Sequence, residues 1–386
     1  MERTLFTEDH EAYRASVREF VAREIVPNNE MWEEDRWVER DFFRRAAAAG
    51  VYALEVPEQY GGAGESDYRY RVVSAEEVQR AHATSLGVTF GLQDDLVLHY
   101  MLDLTTEEQR ERFLPGFASG DIIGALAMTE PGAGSDLRGM RTTAVKDGDS
   151  WIINGSKTFI SSGIMADLVV LACRTDASAG SKGYTLFLVE SDREGFERGR
   201  KLDKLGLPAQ DTAELFFNDV RVPATNVLGE VGRGLQSLMS HLPRERLGVS
   251  LQAMTAMRTV YDDTVAYCRQ REAYGEPLTS LQHIRFELAE MATEIDVAQA
   301  YFDASVLAFN AGRLSAVDAA KGKWWIGELA QRVINTCLQL HGGYGFMREY
   351  PVARAYADTR IQTIYGGTTA VMKEIIGRDL AGSRRS

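Results

Sequence analysis

The sequence contains few of the residues that build disulfide frameworks and metal sites. Only three cysteines occur among 386 residues, and Cys173, Cys268 and Cys337 are too widely spaced for a zinc or disulfide pattern. The six histidines show neither H-E-x-x-H nor another ligand spacing. We therefore expect reduced, buried cysteines and no metal ion.

Basic charge is also scarce, with 43 lysines and arginines against 56 aspartates and glutamates and a net charge of -13. A field of this sign excludes broad contact with nucleic acid or an anionic membrane. No apolar run approaches the roughly 20 residues that span a bilayer. The amino-terminal segment is acidic from Glu8 to Glu11 and lacks the apolar core of a signal peptide. We expect a cytoplasmic protein that binds no nucleic acid and does not insert into membranes.

The pattern of apolar residues changes twice along the chain. Helical spacing runs from about Glu8 to Ser119, short β-rich runs separated by turn dipeptides follow, and helical spacing returns after Gly234. This order predicts a mainly α protein with a central β-domain. The predicted domains are a helical amino-terminal domain at 1–121, a middle β-domain at 122–230 and a carboxyl-terminal helical bundle at 231–386.

Turn dipeptides and capping residues predict the ends of several elements. Asp147-Gly148 and Asn154-Gly155 predict two tight hairpin turns on either side of a strand at 151–153. Ile122-Ile123 predicts an earlier strand. Ser315 has an acidic residue three positions later, which predicts the start of a long helix.

Three segments combine glycine with polar groups in a way that suits a flat or anionic ligand. Ala127–Asp136 follows a predicted strand, His341–Gly345 ends a helix, and Tyr365–Thr369 opens the last one. Backbone groups approach a ligand closely at such glycines, and amides at a helix start bind phosphate. Ordinary turns and glycine caps explain these segments about equally well. No G-x-x-x-x-G-K-[ST] run is present, which excludes a Walker loop.

A carboxylate between two arginines, Glu245 within Leu242–Leu247, precedes a run rich in apolar residues. We interpret this cluster as the start of a helix, where charged residues are typical of a solvated first turn. Composition alone therefore leaves two interpretations of Glu245 open, as a catalytic residue or as a solvated surface residue. Ser161–Gly163 does not match G-x-S-x-G, so a nucleophile elbow has no support.

Four separated segments, in order and at similar spacing, resemble the acyl-CoA dehydrogenase family. They are 127–136, 151–163, 271–282 and 341–369. The resemblance implies a helical amino-terminal domain, a middle β-barrel-like domain and a carboxyl-terminal four-helix bundle, assembled as a homotetramer. It also implies FAD as cofactor, acyl-CoA as substrate and an electron-transfer flavoprotein as partner.

The resemblance implies ligand contacts for residues drawn from all four segments and from the neighbourhood of Glu245. The implied FAD-binding residues are Met128, Thr129, Gly134, Ser135, Phe159, Ser161, Arg271, Tyr274, Gln282, Gln339, Gly342, Gly343, Thr368 and Thr369. The implied substrate-binding residues are Ser135, Arg246, Gly366 and Gly367. Within these sets, Arg246 is implied to contact CoA, and Arg271, Tyr274 and Gln282 to reach FAD held by a neighbouring subunit.

One departure from the family pattern concerns the catalytic base. Most members carry a glutamate where this chain has Gly366, whereas a branch that includes long-chain and isovaleryl enzymes carries it at the position of Glu245. The resemblance implies that Glu245 takes the α-proton of a fatty acyl-CoA and FAD N5 accepts the β-hydride, which yields the trans-2-enoyl-CoA. The backbone N–H of Gly366 is our candidate donor to the thioester carbonyl.

Two other functions stay open at this point. An acyl-CoA oxidase shares the half-reaction but passes electrons to oxygen, and a non-catalytic flavin- or CoA-binding protein would serve in assembly. We favour the dehydrogenase because the chain is shorter than typical oxidases, and because Glu245 is retained where Gly366 removes the commoner base. The sequence does not define the length or branching of the acyl chain.

Overall fold

Seven helices form the amino-terminal part of the computed structural model, which describes residues 3–382. They are α1 (Glu8–Phe20), α2 (Asn29–Asp35), α3 (Arg40–Ala48), α4 (Tyr68–Arg80), α5 (Thr84–Gly91), α6 (Leu98–Leu104) and α7 (Glu107–Ser119). At the start of α7, Thr106 and Gln109 each bond the other's backbone N–H, so a capping box begins the helix. The apolar faces share a core that includes Phe42, Phe90 and Phe117.

A π-helical segment at Leu92–Val97 joins α5 to α6 in one continuous helical stretch. A π turn adds a residue to the helix and changes the direction of the side chains around it, often at functional sites. Here it turns Asp94 and Asp95 inward, and their exposed fractions are only 5% and 2%. This segment forms one wall of the cavity described below.

The middle part is a single eight-stranded sheet. Its strands are β1 (Gly124–Ala127), β2 (Thr143–Asp147), β3 (Ser150–Ser161), β4 (Leu168–Arg174), β5 (Tyr184–Glu190), β6 (Phe196–Lys201), β7 (Thr212–Pro223) and β8 (Val227–Leu228). Their order in the sheet is β6-β7-β3-β2-β4-β5-β8, and β1 pairs in parallel with β4. Alternate side chains, among them Trp151, Phe187 and Phe217, fill a core on one face.

The prediction of a turn at Asn154-Gly155 is wrong, whereas the turn after Asp147 is confirmed. The dipeptide lies inside β3, where the register to β7 shifts between Ile153 and Gly155. A side chain at Gly155 would approach Thr142 to 2.6 Å, and Asn154 bonds Asp219 across the strands. The two residues therefore accommodate a bulge rather than a hairpin turn. The strand predicted at Ile122-Ile123 begins two residues later, at Gly124.

Long helices build the carboxyl-terminal part. They are α8 (Gly234–Gln270), α9 (Gln282–Asn310), α10 (Ala316–Leu340), α11 (Pro351–Thr359) and α12 (Thr369–Leu380), with a small hairpin of β9 (Glu272–Ala273) and β10 (Glu276–Pro277) between α8 and α9. Ser315 caps α10 as predicted, since its hydroxyl accepts the Asp318 N–H at 3.0 Å. Helices α8, α9, α10 and α12 form the bundle, around buried residues such as Ile295, Phe302 and Ile326.

The prediction that Glu245 begins a helix is wrong. Helix α8 starts at Gly234, where a Cβ would approach the Thr185 backbone to 2.9 Å, so Glu245 lies about three turns inside it. Pro243, which favours a helix start, is instead accommodated within α8. The solvated interpretation of Glu245 is therefore also wrong, because only 8% of the residue is exposed.

The predicted fold, helical at both ends with a central β-domain, is confirmed. Helix gives way to strand between Ser119 and Gly124, and strand to helix between Leu228 and Gly234; the domain boundaries placed within these connections stay predictions. All three cysteines are free and buried. Among residues 3–382, no helix has the length and apolar character required to cross a membrane.

Candidate active site

A cavity lies where the π-helical segment, β3, α8 and the loop before α12 meet. Its lining residues are Val88, Gly91, Leu92, Asp95, Leu96, Ser161, Gln210, Glu245, Gly248, Val249, Gln252, Tyr365 and Gly366. Aliphatic side chains cover one part of the wall and a small number of carboxylate and amide groups the rest. This combination is typical of a pocket that binds an apolar chain and performs chemistry at one end.

Glu245 is the ionisable group best suited to proton transfer in this cavity. Its Oε2 atom is buried and has no hydrogen-bond partner in the part of the chain that the structure describes. Burial raises the pKa of Glu245 to about 6, against the opposing effect of the positive charges on Arg246 and Lys323. A carboxylate with a pKa near neutrality is a good general base for a weakly acidic carbon.

Gly366 lies directly against Glu245, so the structure brings the two predicted catalytic positions together. A Cβ at Gly366 would lie 3.6 Å from Glu245 Oε1 and 3.3 Å from Val249 Cγ2. The residue has a φ of +62°, which disfavours any side chain. The missing side chain leaves room next to the carboxylate of Glu245.

Lys323 is a site residue that the sequence analysis missed. Its Nζ donates to the Gly367 carbonyl at 2.5 Å, and only 1% of the residue is exposed. Burial, then the nearby Arg246, lowers the pKa of Lys323 to about 8. The sequence does contain a signal for this residue. Lys323 falls among Ala319, Ala320 and Ile326 on the apolar face of α10, where a buried lysine is rare.

Arg246 is buried beside Glu245, with 4% of the residue exposed, and its Nε has no hydrogen-bond partner among the described residues. Burial lowers its pKa, and the Glu245 charge acts in the opposite direction. A buried guanidinium with an unused donor is suited to an anionic or carbonyl group of a ligand. Its predicted contact to CoA stays a prediction.

The predicted flavin loop is attached firmly to the sheet. Lys157 Nζ donates to the Met128 carbonyl at 3.0 Å and to Glu130 Oε1 at 2.8 Å, and the Thr158 N–H donates to the Thr129 carbonyl at 2.9 Å. The structure thus brings the first and second predicted segments together, with Ser161 at the edge of the Glu245 cavity.

The outer part of this loop has the open surface that a planar cofactor requires. A Cβ at Gly132 or Gly134 would meet nothing within 4 Å, and Ser135 is exposed. Phe159 has a φ of +58° and presents its ring to solvent, with 68% of the residue exposed. An apolar aromatic held outward in a strained backbone conformation fits a ring-binding role.

The remaining predicted cofactor residues lie in the carboxyl-terminal part of the chain, some around a cleft at the end of α10 and others at the start of α12. Arg271 lies 5.6 Å above the Tyr344 ring in a cleft that also contains Gly342 and Gly343. Also among these residues are Tyr274, Gln282 and Gln339, all exposed, Tyr274 to 96%. At the start of α12, Thr368 caps the helix through Val371, and Thr369 donates to Glu328.

Within the described residues 3–382, tertiary packing creates a potential metal-ligand cluster that sequence spacing did not indicate. Ligand atoms of His99, Asp103 and His241 lie within 4.8 Å of one another. The Nδ1 atom of His99 lies 3.5 Å from an Arg244 nitrogen, which places a fixed positive charge next to the cluster. The expected absence of a metal ion stays a prediction.

Three family models match consecutive parts of the chain. They are the acyl-CoA dehydrogenase N-terminal domain at residues 7–121, the middle domain at 125–220 and the C-terminal domain at 232–381. The chain belongs to the acyl-CoA dehydrogenase family. Acyl-CoA dehydrogenases are FAD-dependent oxidoreductases, so the resemblance seen in the four sequence segments and the assignment as an enzyme are confirmed.

Relatives of this acyl-CoA dehydrogenase align over nearly its whole length. The mitochondrial long-chain specific acyl-CoA dehydrogenase of Sus scrofa is 43% identical over 380 residues, which cover 98% of this chain and 88% of that protein. A crystal structure of an acyl-CoA dehydrogenase from Geobacillus kaustophilus has a TM-score of 0.96 at 45% identity and covers 98% and 100% of the two chains. A glutaryl-CoA dehydrogenase from Mycobacterium smegmatis, solved with FADH2, has a TM-score of 0.91 at 30% identity and covers 99% and 96%.

Proposed function

We propose that this protein removes one hydrogen from the α-carbon and one from the β-carbon of a saturated fatty acyl-CoA and releases the trans-2-enoyl-CoA. The observation that carries the proposal is the buried Glu245, with its pKa raised to about 6, against the side-chain-free Gly366 in a cavity with aliphatic walls. The 43% identity to the long-chain enzyme of Sus scrofa supports a long acyl chain.

Glu245 acts as the base in this proposal. Its carboxylate accepts the α-proton, and the negative charge that develops on the thioester oxygen needs a hydrogen-bond donor, for which the Gly366 N–H is our candidate. Aliphatic residues of the cavity, including Leu92, Leu96 and Val249, would exclude water once an acyl chain is bound. A dry cavity strengthens that hydrogen bond and favours proton transfer to a carboxylate with a raised pKa.

FAD fits the open glycine loop and the exposed Phe159. We propose that Met128, Thr129, Gly134, Ser135, Phe159 and Ser161 hold the ring, and that Gln339, Gly342, Gly343, Thr368 and Thr369 hold the remainder. FAD, when bound, supplies the acceptor for the β-hydride. The chain's own contribution is to orient the acyl group so that Glu245 and the ring lie on opposite sides of it.

A panel of saturated acyl-CoAs with an artificial electron acceptor tests the proposed reaction. We expect a yellow protein with about one FAD per chain, turnover that is best with long chains, and enoyl-CoA as product. We propose an electron-transfer flavoprotein as the physiological acceptor. Hydrogen peroxide formed in air at the full turnover rate would instead indicate the oxidase, and a colourless protein that cannot be reconstituted with FAD would contradict both enzymes. The cytoplasmic location stays a prediction from the sequence.

We further propose a homotetramer in which Arg271, Tyr274 and Gln282 reach FAD held by a neighbouring subunit. The 96% exposure of the Tyr274 ring supports this arrangement, because a large exposed aromatic on a short hairpin is typical of an interface. We expect Arg271→Ala to lose FAD at a higher protein concentration than wild type does, since a cation proposed to contact FAD is removed. Sedimentation followed at the flavin absorbance band measures subunit association and FAD retention in one experiment. A monomeric wild type that retains FAD would contradict the prediction.

The rate of flavin reduction should fall as the pH falls through about 6, since protonated Glu245 cannot accept a proton. Lys323 is positively charged at that pH and lowers the pKa of Glu245. Lys323→Met should therefore move this limb of the pH profile to higher pH. Lys321→Met, which removes an exposed lysine paired with Asp318, is the matched control and should leave the limb in place. An unmoved limb in a folded Lys323→Met protein would show that Lys323 does not tune the base.

A further inference from the structure

The wall of the Glu245 cavity contains a polar recess that the proposed reaction does not use. It is centred on Gly91, at the junction of α5 and the π-helical segment. A Cβ at Gly91 would lie 3.2 Å from Arg71 Nη2, 3.5 Å from Asp95 Oδ2 and 3.6 Å from Gln252 Nε2. A cation, an anion and an amide thus surround one point; Gly91, Asp95 and Gln252 line the cavity, and Arg71 lies behind them.

The charged groups of this recess are buried but incompletely bonded. Asp95 and Arg71 are 2% and 6% exposed. Among residues 3–382, both carboxylate oxygens of Asp95, and Nε and Nη2 of Arg71, have no hydrogen-bond partner. The ion pair between them is 3.3 Å long, beyond the 2.7–2.9 Å that is usual for such bonds. Buried charges without hydrogen bonds are costly in free energy, so a ligand that supplies the missing hydrogen bonds binds favourably next to them.

We propose that the recess is a subsite for a hydroxyl group on the acyl chain of the substrate, so that the protein favours hydroxylated fatty acyl-CoAs. The proposal rests on the proposed dehydrogenase function. A hydroxyl donates to Asp95 Oδ2 and accepts from Arg71 Nη2 at the same time. A carboxylate is repelled by Asp95, an ammonium by Arg71, and a methylene group leaves both charges unbonded.

The position of the recess along the cavity places the hydroxyl beyond the reacting carbons. Asp95 Oδ2 lies only 2.7 Å from where a Cβ of Gly248 would be. Gly248 follows Glu245 by three residues on α8, a rise of roughly 4.5 Å. The hydroxyl is therefore carried by a carbon in the body of the chain, several bonds past the β-carbon, and takes no part in the α,β-dehydrogenation.

The test compares dodecanoyl-CoA with a series of hydroxydodecanoyl-CoAs. Each compound of the series carries a single hydroxyl, at one of the carbons from the fifth to the eleventh, so the members are positional isomers of one another. The holoenzyme is mixed anaerobically with each compound, and the rate of flavin reduction is divided by the dissociation constant. From the usual strength of hydrogen bonds to charged groups, we expect this ratio to be about tenfold to a hundredfold higher for one isomer, or for two neighbouring ones, than for the others. Equal values for all positions would overturn the proposal.

Gly91→Ala fills the recess without disturbing the helix, because Gly91 has a φ of −59° and a ψ of −38°. The added methyl group should lower the ratio of the value for the favoured isomer to the value for dodecanoyl-CoA by about tenfold or more. Gly377→Ala, at a helical glycine with open space around it, is the matched control and should change neither value. An equal loss for both substrates in Gly91→Ala would contradict a hydroxyl subsite. If no acyl-CoA reduces the flavin, the proposed function itself fails, which is a distinct result.

Discussion

Glu245→Gln should bind acyl-CoA and reduce its flavin at least about 10²–10⁴-fold more slowly than wild type, the usual contribution of a general base. The amide keeps the shape of the side chain but cannot accept a proton, and the buried position leaves no solvent to replace it. Anaerobic single-turnover mixing with a long saturated acyl-CoA separates binding from flavin reduction. A wild-type rate in Glu245→Gln would require another carboxylate as base.

A control and a rescue variant sharpen this prediction. Glu77 is also buried, but its carboxylate bonds Arg14 and Arg18 far from the cavity. Glu77→Gln should therefore lower stability and leave flavin reduction unchanged. Adding Gly366→Glu to Glu245→Gln should restore part of the rate, since the new Cβ would lie 3.6 Å from the position of Glu245 Oε1. Full recovery is not expected, because a φ of +62° costs a non-glycine residue roughly 1–2 kcal/mol.

Glu130→Gln should destabilise the protein by about 3–5 kcal/mol, the usual effect of removing one partner from a buried ion pair. The Lys157 side chain is fully buried and would lose the negative charge that pairs with it, keeping only the Met128 carbonyl and a neutral amide close by. The carboxylate of Glu130 also accepts the N–H groups of Arg141 and Thr142. Thermal unfolding of the holoprotein and its FAD content measure the effect, because the same lysine attaches the flavin loop.

The double variant Glu130→Gln with Lys157→Met distinguishes a charge effect from a shape effect. Removing both charges should recover much of the lost stability, since replacement of a buried pair by neutral side chains is often nearly neutral. A double variant as unstable as Glu130→Gln would show that the hydrogen bonds to the loop backbone, rather than the ion pair, hold this segment.

The sequence predicted the class of fold because its signals there are local. Capping at Ser315 and the turn after Asp147 depend on neighbouring residues only, and both are confirmed. Asn154-Gly155 failed because pairing between two long strands decides between a turn and a bulge. The start of α8 failed because Gly234 packs against Thr185, a residue 49 positions earlier in the chain.

The site was predictable where a motif marks it and hidden where tertiary packing creates it. Glu245 and Gly366 were found through the family pattern, and the structure places both in the lining of one cavity. Lys323 enters the site from a helix without any motif, and only its position on an apolar face marked it. The recess at Gly91 depends on Arg71, from another helix, which no spacing in the sequence connects to it.

The most direct test of the central claim is a stopped-flow experiment with the wild-type holoenzyme and a long saturated acyl-CoA in the absence of oxygen. The proposed function predicts that the flavin absorbance bleaches in a single turnover and that the quenched product is the trans-2-enoyl-CoA. It also predicts that the rate falls as the pH falls through about 6. An oxidised flavin that stays unchanged at saturating acyl-CoA, for every chain length and at every pH, would contradict it.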